Sequence, residues 1–297
     1  MTSHEIVTDL AECERLWNRH IPKNNIFDIW KIREIFSVTH KTRPRFLMIK
    51  EQDEVKGLLP LEKSGYYHTY FGRGDWCEKN QIIAQDDETF GRLIAALPDY
   101  TSLELLQLGN LKNPSVEEDE PTYYIDLSKY SLDVALYLKS LSRKHRKNLI
   151  YDLKKLDEMN IKVVKNRLGD FPKMVRLANA KFGKDSSYLE KEFRSAAEQI
   201  IRYGHKQDML NQITLELDGA VVAVEAGFVF NGVYTLLFGG VDREVKNLRK
   251  FLNIQHIKDA ASLGCRRVDF LVDDCGWKEL WNCDGEMLYK YENAYFE

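Results

Sequence analysis

The sequence predicts an α/β (α+β) protein made of two copies of one domain, each a mixed, mostly antiparallel sheet flanked by helices. Two observations carry this. The segments RFLMIKEQDEVKGLLPLEKSGYYHTYFG (Arg45 to Gly72) and NQITLELDGAVVAVEAGFVFNGVYTLLFGG (Asn211 to Gly240) each run strand, acidic turn, strand, Gly turn, strand, and each ends on an aromatic-rich stretch closing in Phe-Gly. Each is followed by a helix-like stretch and one more apolar strand, SLELLQL (Ser102 to Leu108) in the first and CRRVDFLV (Cys265 to Val272) in the second. A recurring order of elements is a signature of duplication, and ligand sites favour the place where domains meet.

The first element expected is helical, from about Asp9 to Val38. Leu10, Cys13, Leu16 and Trp17, then Ile29, Ile32, Arg33 and Phe36, recur at helical spacing, with Pro22 and the polar Lys23 to Asn25 between the runs. The first sheet segment follows, centred on Gly57 to Leu61; Pro60 donates no N–H and so marks an edge or a bulge, and Lys63-Ser64-Gly65 supplies a hairpin turn. A short helix from about Thr89 to Leu97 ends at Pro98. NPSVEEDEPT (Asn113 to Thr122) is polar, acidic and bracketed by Pro114 and Pro121, so it reads as a linker. It sets the expected domains at 1–122 and 123–297. YYIDLS reads as a strand, Ser131 to Met159 as a long helical region, IKVVKN as a strand, and Leu168 to Tyr203 as helix broken near Gly183 to Ser187. After the second sheet segment, a helix from about Asn247 to Leu263 stops at Gly264. A strand, a loop holding Trp277 and Lys278, and a terminal aromatic strand LYKYENAYF complete the chain.

Composition narrows the function classes. A length of 297 residues suits two domains, and 44% hydrophobic with 30% charged residues suits a folded protein. The net charge of −3 gives no global attraction to nucleic acid or membrane, so any such attraction is local. The acidic start MTSHEIVTDLAECERLW has no apolar segment of a secretory signal, and no apolar run approaches the roughly 20 residues that span a bilayer. The five scattered cysteines read as reduced thiols of a cytoplasmic protein. Cys275 and Cys283, the nearest pair, lack CxxC spacing and a neighbouring His, so no metal is expected there.

A meander of antiparallel strands, then helix, strand and a last strand, is the order of the GNAT acyltransferase fold, and the second half carries finer likenesses. LSRKHRKNLIYDLKKLDEMN (Leu141 to Asn160) resembles the basic helix that opens the second half of the CelD-like branch of GNAT proteins, named after a cellulose-biosynthesis protein. LELDGAVVAVEAGFVFNGVYTLLFGGVD resembles its central hairpin, and IKDAASLGCRRVDFL followed by Trp277-Lys278 resembles its closing helix, strand and aromatic-Lys signature. The FemAB-type aminoacyltransferases, also tandem GNAT-like proteins, share the layout. The likeness spans about Asp9 to Asn293 and is specific from Leu141 onward. It implies transfer of an acyl group from acetyl-CoA, another acyl-CoA or a carrier-protein thioester to an amine, on a small-molecule or sugar-amine acceptor, in polysaccharide or cell-envelope synthesis.

In GNAT enzymes a Gly-rich turn before a helix holds the donor pyrophosphate on backbone N–H groups. By resemblance, Gly239, Gly240 and Val241 begin that region here. The stretch from Val241 to Lys250 contains no glycine, so Lys246, Arg249 and Lys250 would grip phosphate by charge instead.

Glu225 is the first candidate catalytic residue. It sits in the apolar run AVVAVEAGFVF, where burial would raise its pKa and suit it to act as a general base; the alternative is a structural ion pair to Arg266 or Arg267. Asp242 matches an acidic position of the resembled branch, or else turns or caps the next helix. Asp269, Asp273, Trp277 and Lys278 gather at and after the RRVDFLV strand. There Lys278 would meet an acceptor carboxylate or phosphate, or simply pair with Asp269. Asp273-Asp274 lacks the further carboxylates of a metal site. Arg143, Arg146 and Lys147 belong to the only dense basic run, either a phosphate grip or a solvated helix face. No Ser-His-Asp, GxSxG, Walker A or Rossmann pattern occurs. Two other readings follow the same residues: aminoacyl transfer from tRNA, favoured by the basic helix and opposed by the net charge, and a non-catalytic binding protein that has lost its donor site.

Overall fold

A computed structural model describes residues 2–273 and 276–293. The chain divides into two compact units, one of Met1–Lys23, Phe27–Thr122 and Glu286–Glu297, the other of Asn24–Ile26 and Tyr123–Gly285.

The first unit opens on a strand absent from the sequence expectation, β1 (Thr2–Val7), followed by helices α1 (Leu10–His20) and α2 (Trp30–Thr39). Asp9 starts α1 by accepting the Glu12 N–H at 2.9 Å. Then come β2 (Arg43–Pro44), β3 (Phe46–Glu51), β4 (Glu54–Leu59), β5 (Leu61–Ser64), β6 (Tyr67–Tyr70), β7 (Asn80–Gln81), β8 (Ile83–Ala84), α3 (Asp87–Ala95) and β9 (Ser102–Gln107). The expected meander divides in two. One sheet has the order β1-β3-β4-β8 and another the order β2-β5-β6. Pro60 stands between β4 and β5, where a residue without an N–H leaves no gap in a ladder. Its carbonyl accepts from the Phe71 N–H at 3.0 Å. Trp17, Trp30, Phe46 and Phe71 fill the core, with Trp30 stacked on Phe71 at 4.8 Å between ring centroids.

The presumed linker is mostly strand. Residues 117–122 form the first part of β10 (Glu117–Asp126); the exposed Glu117 and Glu118 record solvation of that strand. The second unit takes over from Tyr123. It continues with α4 (Val134–Ser140), α5 (Arg143–Asp157), β11 (Lys162–Lys165), α6 (Phe171–Phe182), α7 (Lys191–Lys206), β12 (Leu210–Leu217), β13 (Ala220–Phe230), β14 (Val233–Val241), α8 (Leu248–Ser262) and β15 (Arg267–Leu271). The long helical region expected over 131–159 breaks at Leu141, which is extended. Ser142 then caps α5 by accepting the His145 N–H at 3.2 Å. The strands run in the order β11-β12-β13-β14-β15-β10. Asp218 and Gly219, with φ of 50° and 79°, make the tight turn between β12 and β13.

Helices cover both faces of β14. A Cβ on Gly240 would lie 2.2 Å from the Met174 carbonyl oxygen of α6, so only glycine admits that approach. The neighbouring Gly239 faces Glu225 instead, on the α8 side. The parallel pairing of β14 with β15 covers Val233↔Arg267, Tyr234↔Val268 and Thr235↔Asp269 and ends there. β14 runs on to Val241 beyond that point. The last strand, β16 (Asp284–Glu292), returns from Glu286 onward to the first unit. There Tyr289, Tyr291 and Glu292 pair with Leu106, Leu103 and Ser102 of β9. The expected 123–297 domain therefore gives up its tail, because these residues complete the first unit's strand pairing. Residues 294–296 of the expected terminal strand lie outside the described residues.

Candidate active site

Alternation along β13 sends Glu225 toward α8, where it is 1% exposed. Its Oε1 is ion-paired with Arg249 Nη1, and its Oε2 lies 3.0 Å from His256 Nε2. A carboxylate only accepts, so Nε2 carries the hydrogen of that bond. His256 Nδ1 is 2.7 Å from the Tyr234 hydroxyl. Asn211 Nδ2 donates to that hydroxyl at 2.9 Å and to Asp259 Oδ2 at 2.8 Å, and Asp259 is ion-paired with Lys165. The chain of contacts thus runs from Arg249, 41% exposed, through the buried Glu225, His256 and Tyr234 to the surface pair Asp259–Lys165.

This corrects the expected chemistry of Glu225. Burial alone raises a carboxyl pKa, but the Arg249 charge and the His256 hydrogen bond outweigh it, and the Glu225 carboxyl is held below its ordinary value. Its partner is not Arg266 or Arg267 either. β15 runs parallel to β14, so Arg267 sits beside Val233 at one end of β14, whereas Glu225 pairs with Gly239 near the other.

The turn after β14 forms a pocket of about 200 Å³ lined by Val241, Asp242, Lys246 and Arg249, with Lys181 of α6 and Arg243. It opens at the N-terminus of α8, whose unpaired N–H groups carry partial positive charge. Asn247 precedes α8 with φ 66° and makes no side-chain cap. The left-handed position expected of a glycine is therefore occupied by the residue type that best tolerates it. Asp242 Oδ1 accepts the Glu244 N–H at 2.9 Å and shapes the turn. Lys250 points away from the pocket, 2.5 Å from Asp152 of α5.

Val241 and Gly239 share a further property. The Asp242 N–H donates to the Val222 carbonyl at 2.8 Å, which assigns alternate residues 242, 240 and 238 to the β13 ladder. The N–H groups of Gly239 and Val241 therefore point to the other side, where β15 has parted from β14. Gly239 there meets the hydroxyl of the buried Tyr188; burial raises the Tyr188 pKa and the Gly239 backbone contact opposes the rise. Gly240 is taken up by packing on α6, so its place is structural.

The remaining expected residues stand elsewhere. Asp269 is 1% exposed; its Oδ1 accepts the Leu271 N–H at 3.1 Å and its Oδ2 is 3.6 Å from Arg267 Nε. Lys278 is buried, donates to the Leu271 and Val272 carbonyls at 2.5 Å each, and lies 4.6 Å from the Tyr123 ring centroid. Trp277 packs edge-on to Phe270 at 5.2 Å. Asp273 is exposed, and Asp274 lies outside the described residues. On α5, Arg143 and Lys147 are exposed, while Arg146 donates to the Lys139 carbonyl at 2.7 Å and closes the end of α4. Sequence reasoning missed Lys181, Tyr188 and His256. Lys181 lies on α6 and Tyr188 in the segment after it, while His256 lies on α8 with Arg249; none carries a local pattern that would mark it.

No group of three or more His, Cys, Asp or Glu side chains suited to a metal occurs among the described residues. No helix among them is long and apolar enough to cross a membrane. No curated protein matches the sequence. Among solved structures, FemX is similar at 12% identity, covering 97% of this chain and 98% of its own, with a TM-score of 0.60. A tandem GNAT protein from the clavulanic acid biosynthesis pathway is similar at 10% identity over 100% of both chains, with a TM-score of 0.53. L-PGS from Bacillus licheniformis is similar at 11% identity, covering 97% of this chain and 93% of its own, with a TM-score of 0.56. These likenesses establish the fold as tandem GNAT. Residues 143–279, which carry β13, β14, α8 and β15, match the family model of the acetyltransferase (GNAT) domain.

Proposed function

We propose that the second unit transfers an acyl group from a phosphate-bearing thioester, an acyl-CoA, to an amine acceptor. The observation that carries this reading is the cationic pocket at the start of α8 directly beside the outward N–H of Val241. Lys181, Arg243, Lys246 and Arg249 supply charge suited to a pyrophosphate, and the helix N-terminus adds its dipole. The residues present fit that group even without a glycine turn. When bound, the donor supplies an activated carbonyl. The Val241 N–H, freed from the ladder, donates to the oxygen that gains charge as the amine attacks. Asp242, the carboxylate in the pocket lining, takes one proton from the acceptor ammonium so that the neutral amine can attack; the C–N bond forms, the C–S bond breaks, and the departing thiolate takes the second proton released from the nitrogen. Glu225 acts on Arg249 rather than on the amine, holding the guanidinium at the pocket wall.

Calorimetric titration with CoA and acetyl-CoA tests this. Binding should weaken by about tenfold in Lys246→Glu with an unchanged unfolding temperature. A wild-type chain that binds neither ligand would sink the reading.

A second reading is aminoacyl transfer from tRNA, as the FemAB resemblance implies. One observation favours it: Arg143, Lys144, Lys147, Lys154 and Lys155 are all exposed on α5, beside Ile150 and Tyr151, 60% and 59% exposed. Retention on tRNA that falls steeply with salt, together with indifference to CoA, would select this reading.

A further inference from the structure

The first unit holds a cationic pocket of its own, about 550 Å³ in volume, that acyl transfer does not use. Its floor is the ribbon of β2 and β5, where Arg43 and Lys63 stand directly opposite each other. Like charges in that register repel. Arg45 lies two residues from Arg43 and so on the same face, and its Nε is buried with no hydrogen-bond partner among the described residues. A buried donor left in that state is costly. The positive field reaches further. Lys63 faces His68 on β6, and the His68 pKa lies below its ordinary value, first through burial and then through the charges of Arg45 and Lys63, against a raising backbone contact from Asp99.

Among the described residues, none of Arg43, Arg45 and Lys63 forms an ion pair with a carboxylate. Glu34, in the pocket lining, is engaged by Lys31 at 2.5 Å. Glu62, beneath the ribbon, already accepts from the Thr42 hydroxyl at 2.7 Å and from the Gly72 and Arg73 N–H groups at 2.9 and 3.0 Å. The facing wall is apolar: Leu10 and Val38, 45% and 64% exposed, stand over the buried Phe71.

We propose that this pocket binds a small organic phosphate, its phosphoryl group on Arg43, Arg45 and Lys63 and its apolar body against Leu10 and Val38. A dianion between Arg43 and Lys63 turns their repulsion into two charge-assisted bonds, and one of its oxygens satisfies Arg45 Nε. The volume lies within the range of small-molecule sites. Arg43 and Lys63 are exposed, so water screens their repulsion in the free protein; what a merely solvated face leaves unexplained is the buried unpartnered donor of Arg45.

The test is titration of the full chain with 1-naphthyl phosphate, 1-naphthol and inorganic phosphate. The first should bind more tightly than either of its parts. Lys63→Glu should weaken it by about tenfold or more and raise the unfolding temperature without ligand, because the new carboxylate faces Arg43. Arg45→Met should weaken binding similarly. Lys246→Glu, at the start of α8, should leave it unchanged, so the outcome is separate from the acyl-transfer reading. Absence of binding, equal binding of inorganic phosphate, or full affinity retained by both Lys63→Glu and Arg45→Met would each overturn the proposal. So would loss of binding in Lys246→Glu alone.

Discussion

Glu225 shows how far single residues can be read in advance. An acid inside AVVAVEAGFVF is conspicuous, and its burial follows from its place in a central strand covered on both faces. Its partners do not. Arg249 and His256 are 24 and 31 positions away on a helix whose rotation over the sheet is fixed only by packing. An isolated buried carboxylate would favour protonation; two donors reverse the sign. The folded pKa is depressed, so the contribution to stability is complete above the unfolded value of about 4.3 and is lost as pH falls through the lower folded value. We expect Glu225→Gln to lose about 1.5 kcal/mol at pH 7, a modest figure because Arg249 is partly solvated. In urea unfolding, the gap between wild type and variant should hold from pH 7 to about 5 and shrink below about 4.3. A gap that stays flat or widens on acidification would show that the charged carboxylate is not what these donors stabilise.

At the scale of elements, the second unit was the more legible. β12, β13 and β14 are long apolar stretches with explicit turn residues between them, and α8 is followed by Gly264 at φ 71°. The first unit hid more. β1 has too few apolar residues to stand out, and the acidic first part of β10 resembles a linker because its side chains face water. Composition reports exposure, and an exposed strand and a loop share it. The turn before α8 is the instructive case. Its lack of glycine suggested a lost donor site, yet the backbone keeps a left-handed residue there in Asn247. Substitution should separate conformation from side chain. Asn247→Gly should alter stability by no more than a few tenths of a kcal/mol, because the backbone geometry is retained. Asn247→Val should cost about 1–2 kcal/mol, since a β-branched residue is strained at positive φ. Denaturant midpoints measured for the two variants give the comparison; equal losses would mean that side-chain contacts, not the left-handed turn, hold this segment.

At the scale of the whole molecule, the order of elements in the sequence conveyed a tandem fold, but it did not convey that the chain closes its first unit with its last strand. No local pattern can announce a pairing between residues about 190 positions apart. The contacts are nonetheless specific. Beyond the Tyr289–Leu106 and Tyr291–Leu103 pairs, Gln107 donates to Glu286 at 2.6 Å. The Asn293 side chain accepts the Thr101 N–H at 2.7 Å and donates to the Pro98 carbonyl at 3.0 Å. Removing residues 286–297 exposes the β9 edge and leaves these backbone groups to water, while β12, β13 and β14 keep every ladder bond they have. Hydrogen exchange should therefore distinguish the units. In the truncated chain, amides of Ser102 to Gln107 should lose protection by orders of magnitude, and those of Ile213 to Leu215 and Val222 to Val224 should exchange as in the full chain. Equal loss in both sets would mean that the tail supports the molecule globally. Unchanged protection on β9 would mean that the returning strand adds little to the first unit, whose core of Trp17, Trp30, Phe46 and Phe71 would then suffice without it.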